Sequence, residues 1–158
     1  MSYLCQKHNT RLIFDPTYPK IDMGMFPQSN WTEFYGNIEE VIPADMPEPL
    51  GKDIDVRMMC DGAQAGDRRT RCSRTGFLIF CNMALIDWVS KKQATIETSV
   101  LFGAEFVAMK HGIEKLRGLR YKLCMIGIPL TGPSYIFGDN KSQVTNATIP
   151  ESTLEKEM

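Results

Sequence analysis

The chain after Asp53 is built around three short apolar runs, which read IDVRMMC, GFLIFCN and ALIDWVS. They are rich in β-branched and aromatic residues, and turn-forming residues such as the Asp61-Gly62 pair separate them. Runs of this length and composition predict three successive β-strands. The segment from Ile54 onward is therefore expected to form a sheet.

The next apolar stretch has the spacing of a helix. After SKKQAT, small and aliphatic residues recur every three or four positions, at Leu101, Ala104, Ala108, Gly112, Leu116, Leu119 and Leu123. This pattern predicts one helix, or two that separate near Gly118. The segment IPLTGP ends the helix, and SYIFGDN predicts a fourth strand. Three strands, a helix and a strand in this order predict an α/β sheet with helices packed against it.

The first 53 residues differ in composition from the rest. They contain six of the nine prolines, and proline restricts both helices and central strands. We interpret 1–53 as a proline-rich extension that wraps around its neighbour, and 54–158 as the domain proper. A chain of 158 residues has room for one compact domain of this kind.

The charge distribution favours a polyanionic partner. Residues 1–53 carry four basic and eight acidic side chains, whereas residues 54–150 carry thirteen basic and eight acidic ones. The candidates for contacts with a nucleic-acid backbone are Arg68, Arg69, Arg71, Arg74, Lys91, Lys92 and Gln93. A solvated loop surface explains the same residues equally well.

The cysteines and histidines argue against several site classes. The five cysteines contain no CxxC pair, and the two histidines, His8 and His111, lie far apart in sequence. A zinc site and a nucleophilic triad are therefore not expected, and the thiols are expected to be reduced. No apolar run reaches the ~18 residues of a membrane span, and the start lacks a signal-peptide core. The expected location is intracellular, in the cytoplasm or nucleus, without secretion or membrane insertion.

Three acidic residues lie at notable positions of the predicted elements, two after strands and one on an apolar helix face. Asp61 follows the first strand directly, and Asp139 follows the fourth. Glu105 interrupts an apolar helix face formed by Leu101, Phe102, Ala108 and Met109. Each has an ordinary explanation, since Asp61-Gly62 and Asp139-Asn140 are common turn pairs and Glu105 can reach the rim of its helix. Together, in a basic setting, they predict a site for two Mg²⁺ ions and a phosphodiester.

Ordered motifs across nearly the whole chain add a family resemblance. The strings CDGAQAGD, RRTRCSRTGF, WVSKKQATIETS, GAEFVAMK, LRGLRYKL and YIFGDNKS resemble the ribonuclease H region of copia-type retrotransposon polyproteins. The earlier strings RLIFDPTYP and NWTEFYG resemble the connection that follows the reverse transcriptase in those elements. The resemblance implies a ribonuclease H-like mixed sheet, with three antiparallel strands, a fourth parallel to the first, and flanking helices.

The same resemblance implies an activity and roles for the acids. The activity is Mg²⁺-dependent hydrolysis of the RNA strand of an RNA–DNA hybrid. Asp61 matches the aspartate that bridges two metals, Glu105 the helix glutamate and Asp139 the aspartate after the fourth strand. The reverse transcriptase domain of the same polyprotein is an implied partner.

The chain departs from the family pattern at a few positions. Many relatives carry an acid at the position of Ala63, an aromatic residue or histidine at Gln64, and some carry an acid at Gly103. The family pattern also continues beyond the last residues, PESTLEKEM, with a further strand and a helix that include a fourth acid. We therefore expect a C-terminally incomplete domain in which the second metal is doubtful and turnover is impaired.

Two alternatives remain open at this point. One is a catalytically inactive remnant that retains the fold and weak nucleic-acid binding. The other is a structural tether that binds a polymerase through the proline-rich segment.

Overall fold

The computed structural model describes residues 11–26, 30–37, 39, 41, 44–64, 69–94, 100–130 and 132–148, with the side chains of residues 34 and 100–102 excepted. The elements are a short helix α1 (Thr32–Tyr35), strands β1 (Val56–Ala63), β2 (Arg74–Cys81) and β3 (Ala84–Lys92), a long helix α2 (Val100–Met125), strand β4 (Tyr135–Gly138) and helix α3 (Lys141–Thr148). A 3₁₀ turn at Met23–Met25 precedes α1.

The four strands form one mixed sheet in the order β3-β2-β1-β4. The pairs β1–β2 and β2–β3 are antiparallel, whereas β4 runs parallel to β1. Parallel neighbours need a crossover connection, and the segment containing α2 supplies it. The predicted α/β sheet, with three antiparallel strands and a fourth parallel to the first, is confirmed.

Helix α2 is continuous over 26 residues and does not break near Gly118. Its buried residues Met109, Leu116 and Leu123 share a core with alternate residues of β1 and β2. Met58 and Ile79 are completely buried in that core. Apolar side chains that recur every second residue in the strands therefore pack against those that recur every three to four residues in the helix, and together they form one apolar layer.

The opposite face of the sheet is more open. Trp88 lies in the apolar run ALIDWVS and is therefore expected to fill the core, but its side chain is 59% exposed. It lies opposite Leu78, which lies opposite Met59 in turn, and these two side chains are also exposed. The prediction for Trp88 is wrong because these strand positions point away from α2, which covers only one face.

The described part of the proline-rich segment contacts this sheet at Pro16, Thr17 and Phe26. The Asn82 side chain, in the tight turn between β2 and β3, donates to the carbonyl of Pro16 at 2.9 Å. The Phe26 ring packs on Tyr135 and Phe137 of β4, with ring centroids 4.7 and 5.3 Å away. The segment is therefore attached to the sheet at these points, whereas Ile13 and Phe14 remain largely exposed.

Among the described residues, no helix has both the length and the apolar character that a bilayer crossing requires.

Candidate metal centre

The three predicted carboxylates converge at one end of the sheet. One carboxylate oxygen from each of Asp61, Glu105 and Asp139 lies within 4.8 Å of the other two. The strand register explains the meeting of the aspartates, because Cys60 pairs with Gly138 across the parallel strands β1 and β4. Asp61 and Asp139 follow that pair at the same end of neighbouring strands. Both aspartates are exposed, whereas Glu105 is buried.

Glu105 reaches the cluster from α2, which approaches β1 very closely. Its Oε2 atom accepts a hydrogen bond from the backbone N–H of Gly62 at 3.2 Å. A Cβ atom on Gly62 would lie only 2.7 Å from the backbone of Ala104 and Glu105. A side chain at position 62 would therefore push the helix away, so the glycine beside Asp61 is a requirement of the site's geometry.

The electrostatics of the cluster follow from burial and repulsion. Burial, reinforced by the negative charges of Asp139 and Asp61, raises the pKa of Glu105, and the Gly62 N–H partly offsets this. Burial and the negative charges of Glu105, Asp139 and Asp61 also raise the pKa of the Cys60 thiol to about 11. The thiol is therefore neutral at pH 7. The negative charges of the three neighbouring carboxylates favour the binding of a cation.

The donor set fits a small divalent cation. Oxygens of one octahedral Mg²⁺ site lie about 2.9 Å apart when adjacent and about 4.2 Å apart when opposite, given bond lengths of 2.0–2.1 Å. One carboxylate oxygen from each of the three residues lies within 4.8 Å of the other two, a distance close to these separations. The structure thus groups three acids that could hold a metal ion.

The predicted basic residues separate into two groups. The side chains of Arg69, Arg71, Arg74, Lys91 and Lys92 are exposed, and Arg68 lies outside the described residues. Arg74 pairs with Ala63 on one side and with Lys92 on the other. Because Ala63 is two residues beyond Asp61, these cations lie at the same end of the sheet as the acids.

Gln93 differs from its predicted role. Its side chain is 3% exposed, and its amide donates to Thr75 Oγ1 at 3.1 Å and to the carbonyl of Ala104 at 2.9 Å. The amide is committed inside the protein, so the expected contact of this side chain with a nucleic-acid backbone is corrected to a contact with α2.

Sequence reasoning missed helix α3 and its residue Gln143. The Gln143 side chain is fully buried and donates to the carbonyl of Glu105 at 2.7 Å. Asn140 caps the helix, because its side chain accepts from the backbone N–H of Gln143 at 3.1 Å. The Asn140 cap directly after the fourth strand is the signal that could have predicted this helix.

Comparison of the chain with protein-family models, with curated proteins and with solved structures finds no significant match.

A metal ion at this cluster should stabilise the fold, and the effect should depend on pH. For a dissociation constant of about 1 mM, 10 mM Mg²⁺ adds about 1.4 kcal/mol by mass action. At this chain length that raises the melting temperature by about 4 °C. Without metal, the raised pKa of Glu105 means that the folded state favours the protonated carboxyl. The stability that this adds is fully present below the ordinary pKa of a glutamate, and it is lost as the pH rises through the pKa of Glu105 in the folded state.

The control for this prediction is Glu105→Gln. In EDTA at pH 7 the variant should melt a few degrees higher than the unmodified chain, because it removes a buried charge from two neighbouring charges. In 10 mM Mg²⁺ that order should reverse or vanish. Melting temperatures that do not respond to Mg²⁺ in either protein would argue against the metal site.

Proposed function

We propose that the chain contains a ribonuclease H-like domain, related to copia-type retrotransposon polyproteins, that hydrolyses the RNA strand of RNA–DNA hybrids with Mg²⁺. The observation that carries the proposal is the convergence of Asp61, Glu105 and Asp139 within 4.8 Å. These three residues are the ones that the resemblance assigns to the metals. They lie 44 and 34 residues apart in the chain, so their meeting is not a consequence of local sequence.

The topology supports the same proposal. The parallel pairing of β1 with β4 brings two acids side by side at strand ends, and the crossover helix α2 brings the third. Sites in open α/β sheets are built at such strand ends, where side chains project from the sheet into a crevice. The arrangement therefore suits a ligand that approaches the end of the sheet.

The buried acid and the two exposed acids have different roles in the proposed site. Glu105 is buried and fixed by the Gly62 N–H, so it holds a cation from the protein side. Asp61 and Asp139 are exposed, so they face an incoming ligand. A phosphodiester is negative and would be repelled by these carboxylates, which makes a cation between them necessary. The chemistry that Mg²⁺ supplies in such a site is activation of water for attack on phosphorus and stabilisation of the leaving oxygen.

The exposed cations at the end of β2 and β3 suit a nucleic-acid ligand. Arg74 and Lys92 lie directly opposite each other, and both side chains are exposed. A phosphate backbone that passes over this end of the sheet can contact both side chains. Contacts of this kind give affinity without sequence readout, which matches a substrate defined by its backbone.

Hydrolysis under single-turnover conditions tests the proposal. The protein is used in excess over labelled RNA–DNA hybrid, double-stranded RNA, double-stranded DNA or single-stranded RNA. We expect slow Mg²⁺-dependent cleavage of the RNA strand of the hybrid alone, abolished by EDTA. If the protein binds the hybrid but does not cleave it in Mg²⁺ or Mn²⁺, the proposed activity is wrong and the chain is a non-catalytic remnant.

The basic residues should govern how affinity depends on salt. Changing Arg68, Arg69, Arg71 and Arg74 together to Gln should weaken hybrid binding, because fewer counterions are released. Each lost phosphate contact should reduce the slope of log K against log salt concentration by about 0.9. The measurement is a salt series of fluorescence anisotropy titrations.

A matched variant controls for the change in net charge. This control changes four other cations to Gln, namely Lys20, Lys110, Arg117 and Lys122. It removes the same amount of charge, but at positions away from the ends of β2 and β3. This variant should keep most of the salt dependence. Equal slopes for the two variants would show that the arginines form only a solvated surface.

A further inference from the structure

Two buried glutamines bind neighbouring carbonyl groups of α2. The Gln93 amide donates to the carbonyl of Ala104 at 2.9 Å, and the Gln143 amide donates to the carbonyl of Glu105 at 2.7 Å. Gln93 is 3% exposed and Gln143 is completely buried. Both therefore act on the turn of the helix that holds the buried acid of the metal centre.

Helix stability does not explain these contacts. Ala104 and Glu105 lie inside α2, where a carbonyl already has the amide four residues further on as its hydrogen-bond partner. Neither Gln93 Oε1 nor Gln143 Oε1 has a hydrogen-bond partner among the described residues. A buried polar atom without a partner lowers the stability of the fold. Two glutamines that served only to fill the core would therefore destabilise it.

Their other contacts connect the helix to the elements around the acids. Gln93 follows β3 and also donates to Thr75 Oγ1 of β2 at 3.1 Å. Gln143 belongs to α3, four residues after Asp139, and a Cβ atom on Gly138 would lie 2.9 Å from its Oε1. The turn of α2 at Glu105 is thus held from the β2–β3 side by one glutamine and from the β4–α3 side by the other.

We propose that Gln93 and Gln143 are positioning residues that fix the Glu105 carboxylate relative to Asp61 and Asp139, and thereby set the affinity of the site for a divalent cation. This inference rests on the proposed function, because it assumes that the three acids bind a metal. Groups that orient metal ligands change metal affinity or activity by about 10- to 100-fold when they are removed. Removal of either amide should therefore weaken cation binding more than it lowers the stability of the fold.

The test uses Mn²⁺ as the probe and the 158-residue chain as the protein. Binding is followed by the loss of the electron paramagnetic resonance signal of free Mn²⁺, and melting temperature is measured in EDTA. The variants are Gln143→Met and Gln93→Met, which keep the length of the side chain and remove the amide donor. Asp61→Asn identifies binding at the cluster, and Ile79→Val loses packing in the core without contact to the site.

We expect both methionine variants to bind Mn²⁺ about tenfold more weakly than the unmodified chain. Their melting temperatures should fall no more than that of Ile79→Val, because removal of the donor also removes an unpartnered acceptor. Ile79→Val itself should keep the full Mn²⁺ affinity. This separates positioning from a general loss of stability.

Each other outcome is decisive. Unchanged Mn²⁺ affinity in both methionine variants overturns the positioning role and leaves the proposed function in place. Failure of both variants to fold overturns it too, because the glutamines are then structural. If only one variant folds, its Mn²⁺ affinity decides. Absence of Mn²⁺ binding by the unmodified chain, or equal binding by Asp61→Asn, overturns the proposed function and the positioning role together.

Discussion

Gly62→Ala should destabilise the domain by about 3 kcal/mol, which lowers its melting temperature by about 10 °C. The new Cβ atom would lie 2.7 Å from three backbone atoms, the carbonyl carbon and oxygen of Ala104 and the Cα of Glu105. Backbone atoms cannot turn away as a flexible side chain does, so the whole N-terminal part of α2 must shift. Chemical denaturation with a matched thermal melt measures the loss.

Gly76→Ala is the control for this variant. Gly76 lies in β2 directly opposite Asp61, and a Cβ atom there would meet its nearest neighbour, the carbonyl oxygen of Asp61, at an ordinary 3.7 Å. The change in stability should be below about 1 kcal/mol, with a tendency toward stabilisation because the unfolded chain loses freedom. Equal effects at positions 62 and 76 would contradict the close packing of α2 on β1.

Asp61→Asn should reduce hydrolysis of hybrid RNA by about a thousandfold or more. The substitution preserves the size of the side chain but removes one of the charges that hold the cation. Loss of several kcal/mol of metal-dependent stabilisation in the transition state corresponds to a factor of this size. The measurement is the single-turnover rate in Mg²⁺, compared at equal fractions of folded protein.

Asp87→Asn is the matched aspartate. Asp87 lies in β3 of the same sheet, but it pairs with Lys115 at 3.2 Å and takes no part in the cluster. A partly exposed ion pair of this kind contributes at most about 1 kcal/mol to stability, so the rate should remain within a few-fold. A similar loss of rate in both variants would show that the assay does not report on the acid cluster.

The sheet and the acids were predictable because their signals are local. An apolar run that ends in Asp61-Gly62 or in Asp139-Asn140 indicates an acid near the end of a strand, although β1 continues to Ala63, two residues beyond Asp61. Glu105 was recognisable because it interrupts an apolar helix face. The distance between the three carboxylates was not predictable from these signals, since it depends on the β1–β4 register and on how closely α2 packs at Gly62.

The errors concern residues whose surroundings come from distant parts of the chain. Trp88 belongs to an apolar strand, but only one face of that strand is covered by α2. Gln93 follows two exposed lysines and therefore resembles a surface residue, yet the approach of α2 buries it. Helix α3 has the sequence KSQVTNAT, without an apolar face, so its cap and the buried Gln143 define it rather than hydrophobic spacing.

Anomalous diffraction from crystals grown with Mn²⁺ tests the central claim most directly, since Mn²⁺ accepts the same carboxylate ligands as Mg²⁺. We predict an anomalous peak bounded by the carboxylates of Asp61, Glu105 and Asp139, and no such peak in crystals of Asp61→Asn. An unmodified chain whose three carboxylates remain together without a peak between them, at Mn²⁺ concentrations that fill other surface sites, would contradict the account.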